Sequence, residues 1–207
     1  EQNPTVSEAG TYYLTVTGAN GCTSQASAEV LLDNAAPGAS AQGGTLTCDV
    51  TSIQLQGSGN GSFAWSGPNG FTSNEQNPTV SEAGTYYLTV TGANGCTSNA
   101  SATVELDSDA PGASAQGGTL TCDVTSIQLQ GSGNGSFAWS GPNGFTSNEQ
   151  NPTVSEAGTY YLTVTGANGC TSQASAEVLL DNAAPGASAQ GGTLTCDVTS
   201  IQLQGSG

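Results

Sequence analysis

The sequence predicts an all-β chain, a tandem array of small antiparallel β-sandwiches of about seven strands each. Three observations lead there. The stretch SEAGTYYLTVTGANGC runs from Ser7 to Cys22 and returns at Ser81–Cys96 and Ser155–Cys170. Within it Tyr86, Leu88 and Val90 alternate with Tyr87, Thr89 and Thr91, the two-residue period of a strand with one buried face. Short apolar runs of this kind are separated by Gly, Pro, Asn and Ser turns, and no helix-period segment competes. Finally, EQNPTVSEAG begins at Glu1, Glu75 and Glu149, so the period is 74 residues. Self-similarity at a fixed period marks a repeat architecture.

The elements follow in order through the first complete repeat. Thr45-Leu46-Thr47-Cys48 is a short strand. Ser52–Gln56 alternates, with Ile53 and Leu55 inward. Gly57–Gly61 is a loop, and Phe63 and Trp65 share one face of Ser62–Ser66. Gly67-Pro68-Asn69-Gly70 is a tight turn that returns Phe71 to the core. Thr79-Val80 makes a brief strand after Pro78. Ala83-Gly84 turns the chain into the central strand, and Asn94-Gly95 reverses it. The last strand, Ser98–Leu106, places Ala100, Ala102, Val104 and Leu106 inward.

The repeats are nearly identical. Residues 1–59 match 149–207, and residues 1–74 differ from 75–148 at five positions: Gln25/Asn99, Glu29/Thr103, Leu31/Glu105, Asn34/Ser108 and Ala35/Asp109. The first three fall on the outward parity of the last strand, which leaves Leu31 and Leu179 exposed beside a linker. Linkers are placed at Asp33–Ser40, Asp107–Ser114 and Asp181–Ser188, where acids, Pro and Gly replace any apolar period. The expected divisions are residues 1–35, the back half of a domain; 36–109 and 110–183, two complete domains; and 184–207, the front half of another. With no initiator Met and a start inside a repeat, the chain reads as part of a longer protein.

Composition narrows function. The 207 residues include no Lys, Arg, His or Met and carry a formal charge of −16. Phosphate backbones are bound by neutralising them with cationic side chains, so nucleic acid is not an expected partner, and anionic membrane surfaces are disfavoured for the same reason. No run of eighteen apolar residues occurs, so no insertion into a membrane is expected within this stretch. No enzyme is expected either. A general base would have to be a carboxylate or tyrosinate, and Glu82, the acid nearest the central motif, reads as a turn residue.

A domain of this size has a small core and calls for reinforcement. Two pairings of the six cysteines are open: Cys48 with Cys96 inside a domain, or Cys22 with Cys48 across a linker. The first is favoured, because it ties the first strand to the last and repeats as Cys122 with Cys170. Closing a loop of that length contributes roughly 4 kcal/mol by chain entropy. Partners of Cys22 and Cys196 would then lie outside this stretch. Disulfides imply an oxidising compartment, hence an extracellular, cell-surface or secreted location. Glu105, Asp107 and Asp109 lie within five residues, oxygen ligands of the sort Ca²⁺ takes; plain solvated acids are the alternative, and no other cofactor is expected. Asn60, Asn99 and Asn134 stand in N-x-S sequons.

The letters SEAGTYYL resemble the sixth strand of immunoglobulin-type domains. By that resemblance Tyr86 and Tyr160 take the tyrosine-corner position, with the hydroxyl bonded to backbone just upstream, and Trp65 and Trp139 match the core Trp of the third strand. Leu88 stands where that family has its second Cys, so a displaced disulfide is implied. The wider pattern, LTC, WSGPNGF, EAGTYYLTVT and NGCTS, is similar to the tandem Ig-like or PKD-like repeats of large Bacteroidota surface or secreted proteins. The resemblance implies adhesin, stalk or filament roles. Two functions are therefore carried forward. One is a structural repeat segment of a surface fibre, stalk or filament, partnered by neighbouring domains and by self-association. The other is an adhesin module that binds a carbohydrate or protein ligand through its loops.

Overall fold

A computed structural model describes residues 3–207; Glu1 and Gln2, the first letters of the expected half-domain, lie outside the described residues. The chain divides into two compact units, Glu1–Asp107 and Ser108–Gly207.

The first unit opens with a hairpin, β1 (Gly10–Thr17) and β2 (Thr23–Val30), paired antiparallel through its whole length. A sandwich follows: β3 (Ser40–Gln42), β4 (Gly44–Thr47), β5 (Ile53–Gln54), β6 (Gln56–Ser58), β7 (Ser62–Ser66), β8 (Thr72–Ser73), β9 (Thr79–Val80), β10 (Gly84–Thr91) and β11 (Thr97–Asp107). One layer is a five-stranded sheet in the order β4-β11-β10-β7-β8, and the other is made of the pairs β3-β6 and β5-β9. All pairings are antiparallel except β4 on β11, which is parallel, with Gly44 opposite Val104 and Thr47 opposite Asp107.

The alternation of β10 decides the core. Tyr86, Leu88 and Val90 are buried between the layers with Leu46, Leu55, Trp65, Val80, Ala102 and Val104. All but Leu55, which lies between β5 and β6, belong to the inward parity of their strands, so a period-2 rule fills most of the space between two sheets. Tyr87, on the opposite parity, is 59 % exposed.

Two expectations are corrected. Ser52–Gln56 is not one strand: the ladder breaks at Leu55, whose N–H goes to Pro78 O at 2.9 Å. Leu106 is not a core residue but 60 % exposed. Parity alone points it inward. However, β10 begins opposite Val104, so the last residues of β11 run past it and are paired only with β4.

Chain crossing between layers is made possible by Gly43, which separates β3 in one layer from β4 in the other. A Cβ there would lie 1.9 Å from Thr103 O, so only glycine permits this approach of backbone to backbone.

The second unit repeats this design. It holds β12 (Ser114–Gln116), β13 (Gly118–Thr121), β14 (Ile127–Gln128), β15 (Gln130–Ser132), β16 (Ser136–Ser140), β17 (Thr146–Ser147), β18 (Thr153–Val154), β19 (Gly158–Thr165) and β20 (Thr171–Asp181). The hairpin β21 (Ser188–Gln190) and β22 (Gln204–Ser206) follows. Its sheet order β13-β20-β19-β16-β17 and its core around Tyr160, Leu162 and Trp139 reproduce the first.

Candidate functional site

Two places in each unit gather polar side chains into a defined arrangement: the corner that leads into the central strand, and the turn that leaves it. At the corner, Tyr86 lies between the layers and donates its hydroxyl to Glu82 O at 2.9 Å; Tyr160 donates to Glu156 O at the same distance. The tight turn supplies the rest. Asn69 takes a left-handed conformation (φ 53°), which asparagine tolerates, and its side-chain amide donates to Glu82 Oε2. Phe71 meets the Tyr86 ring edge-on at a centroid distance of 5.3 Å and an angle of 83°. Pro68, Asn69, Phe71, Val80, Glu82 and Tyr86 frame an open cleft of about 390 Å³, and its counterpart frames one of about 380 Å³.

The chemistry of this cleft is that of a brace. Burial, and secondarily the Glu82 carboxylate, push the Tyr86 phenol above its ordinary value of 10.0, and Tyr160 is shifted alike beside Glu156. The phenol thus stays protonated near neutral pH and acts as a donor, not as a tyrosinate base. Glu82 is spent on Asn69. Trp65 is fixed too, its indole N–H donating to Gln76 O at 3.2 Å. Gln76 Nε2 donates to Gly57 O at 2.8 Å and Asn77 Oδ1 accepts from Gly57 N at 2.9 Å, which docks the glycine against the indole.

The second place is the turn Gly92–Cys96. Gly92 N–H donates to Cys96 O at 2.8 Å and Gly95 N–H to Gly92 O at 3.0 Å. Asn94 works in both directions: its Oδ1 accepts from Cys96 N at 3.1 Å, while its Nδ2 donates to Asp33 Oδ1 at 3.0 Å and to Ala35 O at 2.9 Å. Asn60 N–H donates to Pro37 O at 2.9 Å. The turn therefore grips the linker through which the chain enters the sandwich. In the second unit Asn168 Nδ2 donates to Asp109 O at 2.9 Å, and Asn134 N–H to Pro111 O at 2.9 Å. Sequence reasoning found this turn but not its grip, because the residues that meet lie about sixty positions apart.

The expected disulfides do not form. Cys96 and Cys122 are free thiols, as are Cys22 and Cys196, whereas Cys48 and Cys170 are disulfide-bonded. Neither Cys48 with Cys96, nor Cys122 with Cys170, nor Cys22 with Cys48 is therefore a pair. The reason lies in the register. Thr47 lies beside Asp107 at the end of β11, whereas Cys96 precedes its first residue, Thr97. At about 3.3 Å per residue the two cysteines stand roughly 30 Å or more apart, against the ~7 Å limit between Cα atoms of a disulfide.

Among the described residues there is no group of three or more His, Cys, Asp or Glu side chains that could hold a metal ion. Glu105 and Asp107 lie two residues apart on the extended β11, opposite Thr45 and Thr47. That separates them by about 6–7 Å along the strand. Of the sequon residues, Asn99 is exposed on the outer face of β11, where its Oδ1 accepts from Thr89 Oγ1 at 2.9 Å.

Together the layers, the parallel edge pairing and the tyrosine corner define the class: a tandem repeat of Ig-like β-sandwich modules. No family model and no curated protein matches the chain. Among solved structures, it is similar to the N-terminal eight Ig domains of Down syndrome cell adhesion molecule (13 % identity, TM-score 0.31) over 72 % of this chain and 27 % of that one. The chain thus spans little more than a quarter of that structure. It is also similar to a structure from a 1.5-MDa bacterial ice-binding adhesin (12 % identity, TM-score 0.48), over 83 % of this chain and 74 % of the other. Murine CEACAM1b gives 11 % identity and a TM-score of 0.32, over 70 % of this chain and 100 % of that one.

Proposed function

We propose that the chain is a structural, non-catalytic repeat segment of an extracellular surface fibre, stalk or filament, of the kind its resemblance to Bacteroidota repeats implies. One observation carries this reading: in both units the side chain of the turn asparagine, Asn94 or Asn168, binds the linker that enters its own sandwich. A linker pinned in this way cannot swing freely, and a chain of such modules sets reach. Glu82, Asn69, Gln76, Asn77 and Tyr86 brace the module, and the net charge opposes lateral collapse.

Small-angle scattering and electron microscopy of the full chain test the reading. A pair-distance distribution that changes when both asparagines are changed to alanine is expected. An unchanged distribution would overturn it.

A second reading, adhesion to a carbohydrate or protein, is favoured by Tyr87 and Tyr161, each 59 % exposed at the same place on the outer face. Aromatic side chains of this kind serve as contact residues. Binding in a glycan array that disappears in the Tyr87→Ala, Tyr161→Ala double variant would establish this reading in place of the first.

A further inference from the structure

The groups that brace the tyrosine corner also shape a receptor. The floor of the cleft is apolar: Val80 and Tyr86 are buried, and Pro68 and Phe71 are half-buried. At the rim stands Glu82, exposed, with its Oε2 accepting from the Asn69 amide. A carboxylate carries two acceptor oxygens, and the brace engages one of them. The walls are fixed in advance. A Cβ at Gly67 would lie 2.4 Å from the Tyr86 ring, and one at Gly84 2.6 Å from Pro68, so the turn is packed hard against the strand it faces. The second unit repeats the arrangement, with Pro142, Phe145, Val154 and Tyr160 below and Glu156 at the rim.

The chemistry of the cleft selects its occupant. An apolar floor with an anionic rim suits a side chain that lays a hydrocarbon stem on apolar surface and keeps a cationic head at the edge. No side chain of this protein meets that description, because the 207 residues include no Lys, Arg or His. The cation must come from another molecule, and a formal charge of −16 favours the approach of cationic ones. With one oxygen of Glu82 held by Asn69, the paired fork contact that arginine makes with a carboxylate is not on offer. A lysine ammonium is a compact charge with rotatable donors and needs only the remaining oxygen. The rim also exposes Asn69 and Ser81 beside Glu82, polar groups suited to the amides of a polypeptide backbone.

We propose that each complete sandwich captures a lysine side chain of a partner polypeptide in this cleft, with the stem over Pro68, Phe71 and Val80 and the ammonium on Glu82. This docking makes no use of the outer face that bears Tyr87, and it holds whether the array is a spacer or an adhesin.

Titration of the isotope-labelled full chain with a capped Gly-Lys-Gly peptide, followed by the amide shifts in nuclear magnetic resonance, tests this. Saturable shifts confined to residues 68–71 and 79–82, and to their counterparts 142–145 and 153–156, are expected. The same peptide with norleucine in place of lysine, which keeps the stem and loses the charge, should bind more weakly. So should butylamine, which keeps stem and charge and loses the backbone. In the Glu82→Gln, Glu156→Gln double variant the lysine peptide should bind roughly threefold to fivefold more weakly, the range for an exposed ion pair. The proposal is overturned if no shifts appear, or if they spread over the acids of the whole chain. It is equally overturned if norleucine or butylamine binds as well as the lysine peptide, or if the double variant binds it unchanged. The comparison of ligands on the native chain stands even if the variant fails to fold.

Discussion

Tyr86 is held at both ends, its ring against Phe71 and its hydroxyl on Glu82 O. Tyr86→Phe keeps the ring and loses the bond. The expected cost is about 1 kcal/mol, read as a fall in the denaturant midpoint of that domain, and Tyr160→Phe should match it. The sign with pH is fixed by the raised phenol pKa. Below the ordinary tyrosine value, folded and unfolded states both hold the proton. Above about pH 10 the unfolded chain ionises first, so this contribution is lost as pH rises through the folded value. The stability gap between the native chain and the Tyr86→Phe variant should therefore narrow in alkaline denaturation curves. At this scale the core was largely legible. Tyr86, Leu88 and Val90 announce their burial through a period of two. The brace of Gln76 and Asn77 on Gly57 was not, since those residues meet from about twenty positions apart and no local periodicity encodes such a contact.

Among the elements, β11 shows what a strand pattern can and cannot disclose. Its alternation places Ala102 and Val104 correctly in the core. It misplaces Leu106, because burial depends on how far the neighbouring strand extends, and that is set by the start of β10 at Gly84. The same limit applies to the cysteines. Composition reveals that they exist and suggests an oxidised state, but pairing needs the register of β4 on β11, and a parallel edge strand leaves no trace in the letters. Gly43 marks the crossing between layers. Gly43→Ala should cost about 2–3 kcal/mol by forcing β4 away from Thr103, measured by thermal unfolding; a variant as stable as the native chain would refute this account of the crossing. Asn94→Ala removes the grip on the incoming linker. Faster backbone motion at residues 33–37, seen by nuclear magnetic relaxation, is the expected result, with the buried strands unaffected.

For the whole chain, near-identity of the repeats made the array plain at once, and the outward substitutions at Asn99, Thr103 and Glu105 agree with an outer face that is free to vary. The edge of each sandwich carries a mechanical consequence. The polypeptide enters β4 at Gly44 and departs from β11 at Asp107, and these two strands run side by side in the same direction. Tension applied at the two termini would drag them past one another lengthwise, so the rungs between them share the load and rupture together instead of peeling singly. Thr45→Pro removes one donor from β4 and should lower the rupture force in single-molecule pulling more than it lowers thermal stability. A tether built from such modules would yield in abrupt steps, one sandwich at a time.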